Sequence, residues 1–247
     1  MGMEKLSYDL KSEEALSVLT DVFSQAITGE LIGMSNFASM AGAIDDPHEK
    51  MEAVEHADSE RQHAEGFMAH AEKLGLKVKV NLEGEYWGRV RNIFLSYAAK
   101  KDFIACLAIQ EVMLEAFAVS MYTDVGKALD NEAGKMFLSI AEEEKEHMEH
   151  STEFLRDELH KDKDKFLKKF EQLHNDCMTI LAEFSLTSDC TDSCGVCHGN
   201  CMKSSLPIVG LDVGSMRGNA LSLYARALDH IGIPGEQSIK WIANLPV

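Results

Sequence analysis

The chain has 247 residues and a formal net charge of −17, because 41 Asp and Glu residues outnumber 24 Lys and Arg residues. This excess of acid argues against a nucleic-acid partner or an anionic membrane surface, since both bind through a surplus of basic side chains. A composition of 45% hydrophobic and 26% charged residues is typical of a globular protein with a core. The sequence shows neither a signal peptide nor a membrane span, so we expect a soluble, cytoplasmic protein.

The periodicity of apolar residues predicts only helices. All four prolines lie outside residues 48 to 206, and a long tract without proline is what continuous helices require. In chain order the predicted helices cover residues 12–42, 49–74, 86–97, 102–122, 130–159, 163–185, 216–230 and 235–244. With no strand alternation and no repeat, we expect one all-α domain over residues 1–247, a helical bundle with additional helices.

Four long predicted helices, 12–42, 49–74, 102–122 and 130–159, each carry a glutamate on the apolar face. Burying an ionised carboxylate is costly unless it is paired or bound to a metal. The alternative is that Lys or Arg partners satisfy these side chains. The four glutamates are Glu30, Glu60, Glu115 and Glu144.

Two of these glutamates are followed three residues later by a histidine, in the pairs Glu60/His63 and Glu144/His147. Side chains three residues apart lie on the same side of a helix and can reach one ion. Two Glu-x-x-His helices with two single-Glu helices are the ligand pattern of di-iron and di-manganese bundles. Oxygen and imidazole ligands suit iron or manganese better than copper(I) or structural zinc, which favour thiolates.

Other residues near this pattern have weaker claims. Glu111, one turn before Glu115, is a candidate either for supporting the ligands or for a ligand that shifts onto the metal. Tyr122 is either a hydrogen-bond donor to a ligand or an ordinary core tyrosine. A third Glu-x-x-His pair, Glu171 and His174, has its glutamate outside the apolar stripe, and we interpret that glutamate as a surface residue.

Several segments resemble one family. They are Gly29-Glu30, the run from Glu60 to Phe67, the run from Ile109 to Ala118 with Tyr122 behind it, the run from Glu143 to His147, and the run from Tyr224 to Gly232. Over most of residues 15–160 and about 217–242 the sequence is similar to the cyanobacterial aldehyde-deformylating oxygenases, ferritin-like di-iron enzymes of alkane biosynthesis.

The resemblance implies a function and a ligand set. It implies a ferritin-like four-helix bundle in which two irons are held by Glu30, Glu60, His63, Glu115, Glu144 and His147. It also implies that a long-chain fatty aldehyde in an apolar tunnel is converted to alkane plus formate. Dioxygen and four external electrons, normally from a ferredoxin system, are then the other reactants.

The sequence departs from this family at residues 186–207, where four thiols follow the spacing C-x3-C-x2-C-x3-C. A [4Fe–4S] cluster, a zinc ion held by the thiols or by three of them with His198, copper(I) on a helical face, and disulfides are alternative interpretations. A cluster would serve as an electron relay. The four cysteines of this segment are Cys190, Cys194, Cys197 and Cys201. Cys106 and Cys177 lie on apolar stripes and are interpreted as core residues.

Three functions therefore compete at the level of sequence. The first is a di-iron oxygenase acting on an apolar substrate, most similar to the aldehyde-deformylating enzymes. The second is a rubrerythrin-like peroxidase, or another ferritin-like oxygenase, fed with electrons through the cysteines. The third is a protein that binds iron and senses redox state through a thiol metal site.

Overall fold

The computed structural model describes residues 11–186, 196–197 and 201–246, and every regular element in this part of the chain is helical. The long elements are α1 (Glu13–Met40), α2 (Pro47–Lys73), α3 (Glu85–Ala98), α4 (Phe103–Ala128) and α5 (Glu132–Lys161). Next comes α6, composed of Lys163–Leu173, His174–Met178 and Thr179–Phe184. The chain ends with α7 (Met202–Ser205), a 3-10 turn (Leu206–Val209), α8 (Val213–Ile231) and α9 (Gly235–Ala243).

The helix starts are set by local capping chemistry. The Ser12 side chain accepts a hydrogen bond from the Ala15 backbone N–H, as the sequence predicted. Asp46 caps α2, and Pro47 takes the first helical position, where its missing N–H costs nothing. Helix α8 begins at Val213, with Asp212 as its N-cap, three residues before the predicted start at residue 216. The predicted start is too late because glycines dilute the apolar periodicity there.

Four long helices form the bundle. Helix α1 packs most extensively against α2, and the second half of α4 packs against α5. Helix α8 covers α4 and α5, so the C-terminal part of the chain closes one side of the bundle. One apolar cluster surrounds Phe23, Phe67 and Phe137, and another surrounds Phe170 and Trp241. The two clusters fill the bundle and the layer of extra helices.

Helix α4 contains a π-helical segment, Ala108–Leu114, in which all seven residues are buried. A π segment adds a residue to a turn and shifts the face that the helix presents. By length and composition Phe103–Ala128 is apolar enough to cross a membrane, but 78% of its apolar window is buried inside the molecule. Its position in the core accounts for that apolar sequence.

Candidate metal centre

Each of the four long helices brings one carboxylate into the interior of the bundle. Glu30 on α1, Glu60 on α2, Glu115 on α4 and Glu144 on α5 are each at most 3% exposed. Each lies at least ten residues from both ends of its helix. All four predicted carboxylate ligands therefore lie in an environment where an ion without a partner is costly.

One part of this group is compact. Ligand atoms of Glu30, Glu60, His63 and Glu144 all lie within 4.8 Å of one another. The Nδ1 atom of His63 is 2.9 Å from a Glu144 oxygen and 3.2 Å from a Glu30 oxygen. Tyr122 Oη donates a hydrogen bond to Glu30. Of the two interpretations of Tyr122, the structure supports a hydrogen-bonding role.

The remaining two predicted ligands lie next to this group. Nδ1 of His147 is 3.0 Å from the second oxygen of Glu144. Glu115 accepts a hydrogen bond of 3.0 Å from Gln110 Nε2, and Gln110 Oε1 accepts one of 2.8 Å from Asn36. The structure thus brings His147 to Glu144 and fixes Glu115 through a chain of two amides.

The sequence analysis missed His56, which lies on the same face of α2 as Glu60 and His63. Its ring is stacked on that of His147, with centroids 4.0 Å apart. Its spacing of four residues before Glu60 was a signal that could have identified it. Gln110 and Asn36 were also missed, because amides at helical positions carry no comparable pattern. Glu111 is buried, with an oxygen 3.7 Å from His56 Nδ1.

The electrostatics of the centre are dominated by burial and by negative charge. Burial, reinforced by the neighbouring carboxylates, raises the pKa values of Glu60 and Glu115 well above their ordinary value. Burial also opposes the charged form of Glu144, but hydrogen bonds from His147 and His63 outweigh it and lower the pKa to about 2. For His63, burial is outweighed by Glu144 and Glu30, which raise the pKa to about 11.

This donor set fits divalent metal ions. In the described part of the chain, none of the four carboxylates forms an ion pair with Lys or Arg, so the alternative of basic partners is not supported. The unpartnered buried Oε2 of Glu111 adds another acceptor at the same place. Carboxylate oxygens and imidazole nitrogens without thiolates are ligands that iron and manganese accept.

A glycine makes room for one of the carboxylates. A Cβ atom at Gly33 on α1 would lie 2.7 Å from the carboxyl carbon of Glu60. Real Cβ atoms do not approach other atoms so closely. Gly33 therefore allows α1 to pass directly beside the Glu60 carboxylate.

The carboxylates open onto a cavity of about 1190 Å³, a volume that includes its opening to solvent. Its walls are mainly apolar and come from α1, α3, α4, α6, α7, the 3-10 turn and α8. The apolar lining includes Ile32, Trp87, Leu114, Phe117, Met121, Leu181, Phe184, Leu206, Val213 and Met216. A cavity with this lining suits an apolar ligand whose end reaches the acidic groups.

The family model described as long-chain fatty aldehyde decarbonylase matches residues 12–183. The chain belongs to this family. The matched residues include all four long helices and the six predicted di-iron ligands.

A solved structure from Synechococcus, a protein with aldehyde deformylating oxidase activity, has the same fold with a TM-score of 0.78. The alignment covers 95% of this chain and 99% of that chain at 17% sequence identity. The predicted all-α, ferritin-like bundle with additional helices is therefore confirmed. At 17% identity the structural similarity establishes only the fold. Membership of the family rests on the match to the family model.

The cysteine segment, residues 186–207, lies beyond the residues that match the family model. Cys197 and Cys201 line the same cavity as the carboxylates. Cys190 and Cys194 lie outside the described residues, and the predicted metal or cluster site remains a prediction. Cys106 and Cys177 are fully buried, as predicted, and burial raises the pKa of each thiol to about 12.

The prediction that Glu171 is a surface residue was wrong. Its Oε1 accepts hydrogen bonds from Trp241 Nε1 at 3.0 Å and from Gln237 Nε2 at 3.3 Å. His174 is buried beside it, with Nδ1 3.0 Å from Tyr224 Oη. Helix α9 covers this part of α6, which no local pattern in α6 could show.

Proposed function

We propose that this chain is a di-iron oxygenase that converts a long-chain fatty aldehyde to an alkane one carbon shorter and formate. The observation that carries the proposal is a set of four buried carboxylates at the wall of an apolar cavity, with His63 and His147 in contact with one of them, Glu144. Membership of the fatty aldehyde decarbonylase family supports the substrate class. Manganese in place of iron is the alternative that the same ligands allow.

The proposed ligands are the six residues of the sequence analysis. Glu30, Glu60, His63 and Glu144 form the compact half, and Glu115 with His147 completes the second half. Bound iron would supply the binding and reduction of dioxygen. Binding iron requires His63 to lose its proton, because only a neutral imidazole binds a metal.

The surrounding residues hold these ligands in place. The hydrogen bond from Tyr122 fixes one oxygen of Glu30, and Gln110 fixes one oxygen of Glu115. Such contacts set the orientation of a ligand and its affinity for metal. The apolar cavity wall orients the alkyl chain and keeps water away from the reacting carbon.

The overall reaction balances as one aldehyde, one dioxygen, four electrons and four protons giving one alkane, one formic acid and one water. The bond between the carbonyl carbon and the alkyl chain breaks, and dioxygen is the species reduced. We propose a ferredoxin-type protein as the external electron donor and the cytoplasm as the location. A single domain over residues 1–247 is part of the same proposal.

The test is to load the protein with iron(II) and supply hexadecanal, dioxygen and a reduced ferredoxin system. We expect pentadecane and formate in equal amounts, with neither product from a Glu60→Gln variant. Absence of pentadecane while the iron is bound and becomes oxidised would contradict the proposal.

One observation favours a second function. Because Cys197 and Cys201 line the cavity that the carboxylates share, thiol-linked electron delivery would also suit a rubrerythrin-like peroxidase. Rapid peroxide consumption without any aldehyde would support that function. Normal iron loading with no turnover of either substrate would instead support iron binding and redox sensing.

The cysteine segment is proposed to hold a [4Fe–4S] cluster or a zinc ion. The test compares the anaerobically purified protein with a variant in which all four cysteines are replaced by serine. We expect the variant to keep about two irons per chain and to lose the additional metal. Equal metal contents in the two proteins would contradict a metal site at the thiols.

A further inference from the structure

One basic side chain is buried in the wall of the cavity and takes no part in the proposed metal centre. Lys203, on α7, is 8% exposed and lines the cavity. Burying an ammonium group is costly, so lysine is almost never buried without a partner. Among the described residues, however, no carboxylate forms an ion pair with Lys203. The molecule therefore carries a buried cation in an otherwise apolar wall.

The ammonium group of Lys203 lies at the end of α6. Its Nζ atom is 5.9 Å from the centroid of the Phe184 ring, and Phe184 also lines the cavity. The face of an aromatic ring attracts a cation, but an ammonium group has three N–H donors that require oxygen or nitrogen acceptors. Within the part of the chain that the structure describes, no such acceptor is bonded to Lys203. These donors are therefore available to a ligand in the cavity.

A second cation, from α8, reaches the same end of α6. Arg217 lines the cavity and donates hydrogen bonds to the backbone oxygen of Ala182 at 2.7 Å and to the hydroxyl of Ser185 at 3.3 Å. It also donates to the backbone oxygen of Pro246. All three acceptors are neutral, and burial lowers the pKa of Arg217 with no carboxylate to offset it. Two positive charges thus lie in the cavity wall around the last turn of α6.

Capping of α6 accounts for Arg217 but not for Lys203. The last carbonyl oxygens of a helix attract cations, and Arg217 bonds to one of them, that of Ala182. Lys203 has no such bond, and its ammonium group lies beside a ring of the cavity wall instead. An anion in the cavity would supply the missing partner, while the apolar wall would hold any alkyl chain attached to that anion.

We propose that Lys203, assisted by Arg217, forms a carboxylate-binding subsite in the wall of the apolar cavity, distinct from the six metal ligands. Two ligands share this chemistry. One is a long-chain fatty acid, whose alkyl chain would lie along the apolar wall and compete with the aldehyde. The other is formate, the anionic product of the proposed reaction. The formate source rests on the proposed function, whereas the subsite itself does not.

The experiment is a calorimetric titration of the anaerobic iron(II)-loaded protein with sodium decanoate, decan-1-ol and sodium formate. Decan-1-ol has the same alkyl chain without the charge. Lys203→Met keeps the length of the side chain and removes the ammonium group, and Lys203→Arg keeps the charge. The matched control is Lys240→Met, because Lys240 is exposed on α9 and does not line the cavity.

For the unchanged protein we expect decanoate to bind more tightly than decan-1-ol. Lys203→Met should weaken decanoate binding about 10- to 100-fold, the effect of losing one charge-assisted hydrogen bond, and should leave decan-1-ol binding unchanged. Lys203→Arg should retain most of the decanoate affinity, and Lys240→Met all of it. Formate binding that also weakens in Lys203→Met would support a subsite for the product. The same loss for decanoate alone would support a subsite for a fatty acid.

Equal affinities of the unchanged protein and Lys203→Met for both carboxylates would overturn the inference. Decanoate binding that disappears with the iron but is unaffected by Lys203→Met would place the carboxylate on the metal, and would also overturn it. If Lys203→Met fails to fold, Lys203→Gln is a second neutral variant to which the same outcomes apply. The titrations involve no turnover, so absence of alkane in the aldehyde assay would contradict the proposed function alone.

Discussion

Three Glu-x-x-His pairs occur on long helices of this chain, and they lie in two contrasting regions. His63 and His147 face buried carboxylates in the bundle. His174 instead lies between Tyr224 and the backbone oxygen of Trp241, in the layer of extra helices. The spacing is identical, so the surroundings alone distinguish a candidate ligand from a core histidine.

The pKa values of two of these histidines move in opposite directions. Carboxylates around His63 outweigh its burial and raise the pKa to about 11. For His174, burial dominates and lowers the pKa to about 4. A neutral His174 that donates from Nε2 to the Trp241 carbonyl and accepts from Tyr224 Oη is fully satisfied. It therefore has no need of a metal.

The largest expected effect comes from removing the Glu60 carboxylate in the bundle, and the matched control removes the Glu171 carboxylate in the layer of extra helices. Glu60→Gln should lower aldehyde turnover by more than about 100-fold and reduce iron below two per chain, because a ligand is lost. Glu171→Gln removes a carboxylate of the other motif and should leave both quantities unchanged. Iron content and alkane yield measured on both variants check this. A loss of iron in Glu171→Gln would contradict the conclusion that only the pairs in the bundle bind metal.

The metal-free protein should become less stable as the pH rises from 7 to 9. The folded-state pKa of His63 is raised, so its contribution to stability is complete below about 6.5 and is lost as pH rises towards 11. The raised pKa of Glu60 acts in the same direction. We expect a fall of roughly 1 kcal/mol per pH unit, measured by denaturation of chelator-treated protein.

A His63→Gln variant is the control for this pH dependence, since it should lose most of the slope. Iron(II) should stabilise the unchanged protein more at pH 8 than at pH 6, because metal binding displaces the proton from His63. Stability of the metal-free protein that is constant or rising between pH 7 and 9 would show that His63 does not hold its proton.

Gly33→Ala tests the close approach of α1 to Glu60. The added methyl group would lie 2.7 Å from the Glu60 carboxyl carbon, so the carboxylate must move. We expect turnover to fall by about tenfold, the order of effect seen when a ligand is misplaced. Gly66→Ala is the matched control, because its nearest neighbour is a flexible Met136 side chain at 3.5 Å. Equal activities of the two variants would contradict the packing argument.

The smallest effect is expected at His174. Its folded-state pKa is lowered, so the unfolded chain takes up the proton first and stability is lost as pH falls from about 6.5 towards 4. Between pH 6.5 and 5.5 we expect roughly 1 kcal/mol from this group, seen as the difference in slope between the unchanged protein and His174→Gln. Identical slopes would mean that the buried imidazole is already protonated in the fold.

Most of the fold could be predicted from sequence, because apolar periodicity and caps are local properties. The Ser12 cap and the burial of one predicted glutamate on each of the four long helices are examples. The π segment Ala108–Leu114 could not be predicted, since one added residue in a turn leaves no mark on a pattern read at 3.6 residues per turn. Glu171 was misjudged because Gln237 and Trp241 reach it from a distant part of the chain.

The central claim is that the four carboxylates and two histidines bind two metal ions. A crystal structure of the iron-loaded protein, with anomalous data collected on both sides of the iron absorption edge, tests it most directly. The account predicts two anomalous peaks among these residues, one beside Glu30 and His63 and one beside Glu115 and His147. A single peak, or none among these residues in protein that retains its iron, would contradict it.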